Sequence, residues 1–277
     1  MKLWLGSVAA MATLLHFALI SDIGRWATAR PIETAASVFD ASSLYLSGSS
    51  AHRRARLASI ETVNEFPAGH SVRTMATAVG LLVTEFRATD GKIQTFTCTA
   101  SLIRPTLVLT NAHCVLHRNQ PASRITLWFD HLAASQATVV ELVAAPVEID
   151  VKLDYALLSL SALPAGATVT HLGQIAMRAA VPGERLLILH HSKGDPLQVS
   201  RAFCRAALDQ VVVDQLRHSC PTHTGSSGAI VFAERDYAIV GLHHSISTRA
   251  DGVAGYATAI SAINKAGGHL VPTVATR

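Results

Sequence analysis

Two adjacent serines, Ser226 and Ser227, sit between Gly225 and Gly228 in the stretch THTGSSGAIVF, residues 222–232. Small polar residues flanked by glycine make turns in proteins of every kind, so alone the stretch predicts only a tight turn entering a strand. Two other stretches change its meaning. In VLTNAHCV (108–115) His113 follows a β-like run and begins a small turn or helix. In LDYALLSL (153–160) Asp154 leads into an apolar strand that would bury that end of its carboxylate. A serine hydroxyl is a poor nucleophile until a base takes its proton, and an imidazole suits that task because it titrates near neutrality. A carboxylate fixes the imidazole tautomer and stabilises the imidazolium that forms. Glycines let the chain turn sharply, so that backbone N–H groups can converge on a developing oxyanion. The chemistry these residues could perform together is acyl transfer, with no cofactor and no metal.

The elements that would position them are short strands. ATAVGLLVTEF, IQTFTCTASLI, LVLT, RITLWF, ATVVELVAAPVEI and YALLSL form a first series from about residue 76. A polar connection, SALPAGATVTHLGQ, precedes a second series: RLLILHH, LQVSRAFC, VVVD, AIVFA, YAIVGLHH and GVAGYATAI. Many short strands at close spacing, without helical periodicity between them, predict an all-β sandwich or barrel. The two series are of similar length, which predicts two β subdomains joined near residues 161–175. SAINKAG, at 261–267, predicts a short terminal helix ended by Gly267 and Gly268. The paired histidines His190–His191 and His243–His244 do not suggest a metal site, because adjacent strand residues point to opposite faces. His190, His191 and His244 are expected on the surface or the barrel wall.

The 277 residues suffice for one large domain or two small ones with a sizeable core. Hydrophobic residues make up 49% and charged residues only 15%, which excludes wholesale disorder. The net charge of +4 is mild, and no Lys/Arg cluster is denser than HRRAR at 52–56, so nucleic acid is not an expected partner. Residues 1–29 carry Lys2, an apolar run and the small-residue ending ATA, which predicts a signal peptide cleaved after Ala29. The competing reading is an uncleaved anchor helix, the run being near the lower limit for spanning. Four cysteines, Cys98, Cys114, Cys204 and Cys220, suit two disulfides in an exported chain, with three pairings open. A four-thiolate zinc site is disfavoured because no C-x-x-C knuckle is present. A secreted or periplasmic protein is expected, a monomer with no stable membrane association after signal cleavage.

Over roughly residues 75–262 the chain resembles the trypsin/chymotrypsin-like serine peptidases. TNAHC is similar to their T-A-A-H-C-type motif, DYALL to their D-[IY]-A-L-type motif, and GSSG to their G-x-S-G. The order His, Asp, Ser is also theirs. An α/β-hydrolase elbow would need glycine where Ala229 stands, and the alternating βα units of a lipase or esterase are missing. The resemblance implies two packed antiparallel β-barrels, about 71–160 and 170–262 within a peptidase domain of 71–277, with the active site between them. Residues 30–70 would then be a propeptide or an N-terminal extension. It implies a catalytic His113, Asp154 and Ser227, with Ser227 rather than Ser226 as nucleophile. The N–H groups of Gly225 and Ser227 would form the oxyanion hole, and disulfides would join Cys98 to Cys114 and Cys204 to Cys220. Protein or peptide would be the substrate.

The departures are informative. Zymogen-type relatives have Asp where Ser226 stands, and an I-V-G-G amino terminus that is missing here, so that activation switch is not expected. Trypsin-type enzymes place Asp where Pro221 stands, which argues against Lys or Arg specificity. The chain looks closer to the bacterial branch that includes the staphylococcal glutamyl endopeptidase. Thr222 and His243 match that branch's substrate-binding positions, and both can hydrogen-bond a carboxylate. A protease-like binding protein with no activity is the competing reading, and such proteins usually lack a triad member.

Overall fold

The computed structural model describes residues 59–133, 136–163, 171–209, 213–249 and 252–267. The expected signal peptide and most of 30–70 lie outside the described residues. No helix among the described residues is long and apolar enough to cross a membrane.

Among the described residues, sixteen strands form two seven-stranded antiparallel sheets and one small hairpin. The first sheet uses β2 (Val79–Arg87), β3 (Ile93–Arg104), β4 (Leu107–Thr110), β7 (Arg124–Ala133), β8 (Gln136–Glu141), β9 (Glu148–Asp150) and β10 (Tyr155–Ser159), in the order β8-β7-β2-β3-β4-β10-β9. The hairpin of β5 (Leu116–His117) and β6 (Gln120–Pro121) lies between β4 and β7 in sequence. An isolated bridge between Leu142 and Leu160 joins the chain leaving β8 to the chain leaving β10, which curls the sheet into a barrel. ATVVELVAAPVEI is not one strand. It breaks at 142–147 around Pro146, which cannot donate to a central ladder.

The second sheet uses β1 (Ile60–Thr62), β11 (Leu186–His190), β12 (Gln198–Ser200), β13 (Gln215–His218), β14 (Ile230–Ala233), β15 (Ile239–Arg249) and β16 (Gly252–Ala259). Their order is β1-β12-β11-β14-β15-β16-β13. Bridges from Arg185 to Arg205 and from Ala206 to His218 close it through the 205–206 segment. Residues 213–214 of VVVD form a turn, and the strand begins at Gln215, where the alternation of buried and half-buried residues sets in. The short edge strand β1 is held by a bidentate pair, Arg201 to Glu61 at 2.9 and 3.0 Å, with Arg201 also 5.0 Å from the Phe66 ring centroid. The α-helices among the described residues are α1 (Ser71–Ala76), α2 (Ala112–Val115) and α3 (Ile260–Gly267).

The two barrels pack against each other, and β11 shows how. Leu186 and Ile188 face a core that they share with Leu216, Val231 and Val240 inside the second barrel. Leu187 and Leu189 belong instead to the larger core that also contains Leu82, Leu102, Leu127 and Leu157 of the first barrel. Successive side chains of a strand point to opposite faces, so a strand buried on both reads as an unbroken apolar run, as LLIL does. His190 and His191 continue this alternation and are fully buried, not on the surface.

Candidate active site

His113 sits on the one-turn helix α2, directly after strand β4. Asp154 ends the tight turn between β9 and β10, where Asp150 Oδ1 accepts from the backbone N–H groups of Lys152 and Leu153 at 2.8 and 2.9 Å. Asp154 has a left-handed backbone (φ 53°), a conformation that Asp tolerates better than most side chains. Both carboxylate oxygens then reach His113. Oδ1 accepts from the His113 backbone N–H at 3.0 Å, and Oδ2 lies 2.7 Å from Nδ1. Asn111 adds a third tie, its Nδ2 donating to the Asp154 carbonyl at 2.7 Å. A carboxylate can only accept here, so Nδ1 carries a proton and the neutral ring keeps its lone pair on Nε2. Burial disfavours the imidazolium, but the charge and hydrogen bond of Asp154 outweigh it and leave the His113 pKa above the ordinary 6.5.

The glycine-flanked turn packs from the second barrel against the strands that lead to α2. Gly228 has φ 83°, and a Cβ there would overlap the Thr99 carbonyl and the Thr110 hydroxyl, both on the strands that lead to α2. Only glycine lets the serine turn approach the histidine support so closely. Ser227 is half-buried; its carbonyl accepts from the Thr99 N–H at 2.8 Å, and its hydroxyl lies 3.4 Å from the His244 carbonyl. Among the described residues no hydrogen bond joins Ser227 to His113. Catalytic hydrogen bonds are often long before substrate arrives.

The N–H groups expected to form the oxyanion hole have no protein acceptor among the described residues. Ser226 and Gly228, on either side of Ser227, do donate, to the carbonyls of His223 and His243 at 3.1 and 2.9 Å. Gly225 has φ 87°, and a Cβ there would run into the His191 carbonyl. Pro221 is buried and its carbonyl accepts from Ser200 Oγ at 2.6 Å. Thr222 and His243 are both buried. Cys220 N–H donates to His218 Nδ1 at 3.2 Å, so His218 Nε2 carries the proton that faces His243 Nδ1 at 3.0 Å. A neutral His243 therefore has its own proton on Nε2. Burial, then the neighbouring histidines, hold its pKa well below 6.5.

Disulfides join Cys98 to Cys114, tying β3 to α2, and Cys204 to Cys220, just ahead of the serine turn. Ligand atoms of Cys98, Cys114 and His113 lie within 4.8 Å of one another, but both sulfurs are spent in the bond and offer no thiolate. His218 and Thr99 carried no local signal in the sequence, and His190 stood out only as half of a paired histidine; Thr99 and His190 also support the turn. Their partners lie far along the chain.

A sequence profile described as trypsin-like peptidase domain matches residues 98–242. The chain belongs to that family. Peptide-bond hydrolysis is thus the activity class. Among solved structures, the Rv3671c protease of M. tuberculosis in its active form is 18% identical, with TM-score 0.53, over 71% of this chain and 82% of that one. The inactive form of the same protein, a serine-to-alanine mutant, is 16% identical, with TM-score 0.51, over 73% and 91%. The HtrA-type protease AlgW with a tripeptide is 17% identical, with TM-score 0.53, over 70% and 60%. These likenesses concern the fold. No curated protein matches the chain in sequence.

Proposed function

We propose that the protein is an exported serine endopeptidase. Ser227 Oγ attacks the substrate carbonyl carbon as its proton passes to His113 Nε2, and Asp154 stabilises the imidazolium. The new oxyanion accepts from the N–H groups of Gly225 and Ser227. His113 returns the proton to the leaving amine, and water, deprotonated by the same imidazole, hydrolyses the acyl-enzyme. The observation that carries this reading is the doubly bonded His113–Asp154 pair, which leaves Nε2 as the free base of the imidazole. Two disulfides support an oxidising compartment, secreted or periplasmic, and the protein acts there as a monomer.

Acidic residues are the proposed preference at P1, as in the branch near the staphylococcal glutamyl endopeptidase. Pro221 offers no charge for Lys or Arg, while Thr222 and the Nε2–H of His243 supply donors for a carboxylate. A peptide library with every residue at P1 tests both levels. Cleavage absent from Ser227→Ala and strongest after Glu or Asp is expected. Cleavage with another preference refutes the P1 assignment alone. The lean of the Ser227 hydroxyl toward the His244 carbonyl favours a second reading, a protease-like binding protein, and a folded protein that binds peptides without cutting them would establish it.

A further inference from the structure

An oxyanion hole works only if two peptide groups are turned the right way, and the carbonyls of three successive peptides of the serine turn each accept a hydrogen bond. In a trans peptide the N–H and the preceding C=O point in opposite directions. The Thr224 carbonyl accepts from the Lys193 N–H at 2.5 Å, which turns the Gly225 N–H to the other side. The Gly225 carbonyl accepts from Thr99 Oγ1 at 2.8 Å, which turns the Ser226 N–H toward the His223 carbonyl. The Ser226 carbonyl accepts from the Ala229 N–H at 3.1 Å, which turns the Ser227 N–H away from it. Of the three contacts, only the one from Thr99 comes from a side chain, and it comes from the other barrel.

Its direction is fixed. The His191 backbone N–H donates to Thr99 Oγ1 at 2.9 Å, so the hydroxyl proton is free to go to the Gly225 carbonyl. Thr99 is fully buried, and its own N–H holds the Ser227 carbonyl, so it grips the turn on both sides of Ser226. Ser226 is held from beneath. Its Oγ accepts from the His223 N–H at 3.1 Å and faces His190 Nδ1 at 2.6 Å, while His190 Nε2 faces Ser200 Oγ at 3.0 Å. Since Ser200 donates to the Pro221 carbonyl, Nε2–H must donate to Ser200 and Nδ1 must accept from Ser226. Every hydrogen is accounted for without a charge.

We propose that the Thr99 hydroxyl is a positioning residue for the oxyanion hole, an uncharged latch by which barrel one sets the peptide orientation of the serine turn on barrel two. The latch rests on the endopeptidase reading. It orients the hole with hydrogen bonds already in place in the folded chain, with no new terminal amine.

Thr99→Val keeps the shape and removes the hydroxyl; Thr99→Ser keeps the hydroxyl. Peptide hydrolysis is measured for both, for wild type and for Ser227→Ala, together with thermal midpoints and affinity for a peptide boronic acid, whose tetrahedral adduct occupies the hole. For Thr99→Val we expect kcat about 10- to 100-fold lower, KM within roughly twofold, and boronate affinity reduced by the same factor as kcat/KM. Thr99→Ser should recover most of each loss. Wild-type rates in Thr99→Val overturn the latch while leaving the endopeptidase reading intact. So do equal losses in both variants that track a lowered thermal midpoint, since those mark a packing role. Wild type that cuts no peptide removes the reading and the latch together.

Discussion

His113 and His190 are both packed imidazoles, one in each barrel, and burial pushes both pKa values down. Their partners separate them. His113 has a carboxylate 2.7 Å from Nδ1, and its pKa ends above 6.5. His190 has only serine hydroxyls, and burial, then the proximity of His191 and His223, takes it to about 3. One residue type thus gives a base that can accept a proton and a strut that stays neutral. The difference lies in whether the environment supplies a compensating charge. In the proposed mechanism barrel one carries the moving proton, and barrel two carries a hydrogen-bonded support that no proton should enter.

Removing the charge that distinguishes the two histidines should have the largest effect. Asp154→Asn is expected to lower kcat/KM by about 10³- to 10⁴-fold, because the amide cannot hold the required tautomer. In wild type, kcat/KM should rise with pH through an apparent pKa above 6.5, since only neutral His113 is a base. A wild-type profile centred well below 6.5 would break the comparison.

Acid should act on the other barrel. His190 at about 3, with His191 and His244 at about 4, lies below the ordinary 6.5, burial being the main cause in each. The unfolded chain therefore binds more protons between those values, and these groups' contribution is complete above 6.5 and is lost as pH falls toward 4. His113 has the opposite sign, its contribution being complete below 6.5 and lost as pH rises through its raised pKa. The net expectation is a thermal midpoint that drops below pH 6.5, with uptake of roughly two or more protons on unfolding. A midpoint flat from pH 7 to 4.5 would show that the second barrel does not exclude protons.

His190→Leu should destabilise by about 2–4 kcal/mol, because it strands the Ser226 and Ser200 hydroxyls without their partner. Urea unfolding measures it, and a loss below about 0.5 kcal/mol would remove the strut role. Smallest is His243→Phe, expected to cut selectivity for acidic over neutral P1 residues about tenfold while leaving cleavage of neutral substrates nearly unchanged.

Two-barrel architecture was legible because the strands are short, closely spaced and punctuated by turns. LLIL and AIVF were readable as strands, though not as strands buried on both faces. β1 was invisible: three residues, Ile60–Thr62, carry no period, and their place depends on Arg201 far along the chain. The site divides the same way. His113, Asp154 and Ser227 stand in local motifs, each with a neighbour that betrays a role. Thr99 and His190 act on residues 126 and 36 positions away, and no local pattern records such a contact. The departure at Ser226 was legible as a missing charge, but its replacement by a histidine–serine chain needed the fold.

The most direct test of a serine activated by the His113–Asp154 pair is the site of covalent labelling by a fluorophosphonate, read by mass spectrometry on the exported, processed protein. One adduct on Ser227 is predicted, absent from Ser227→Ala and strongly slowed in His113→Ala, with Ser226 unmodified. No adduct on the folded, disulfide-bonded protein, or an adduct on Ser226, would contradict it.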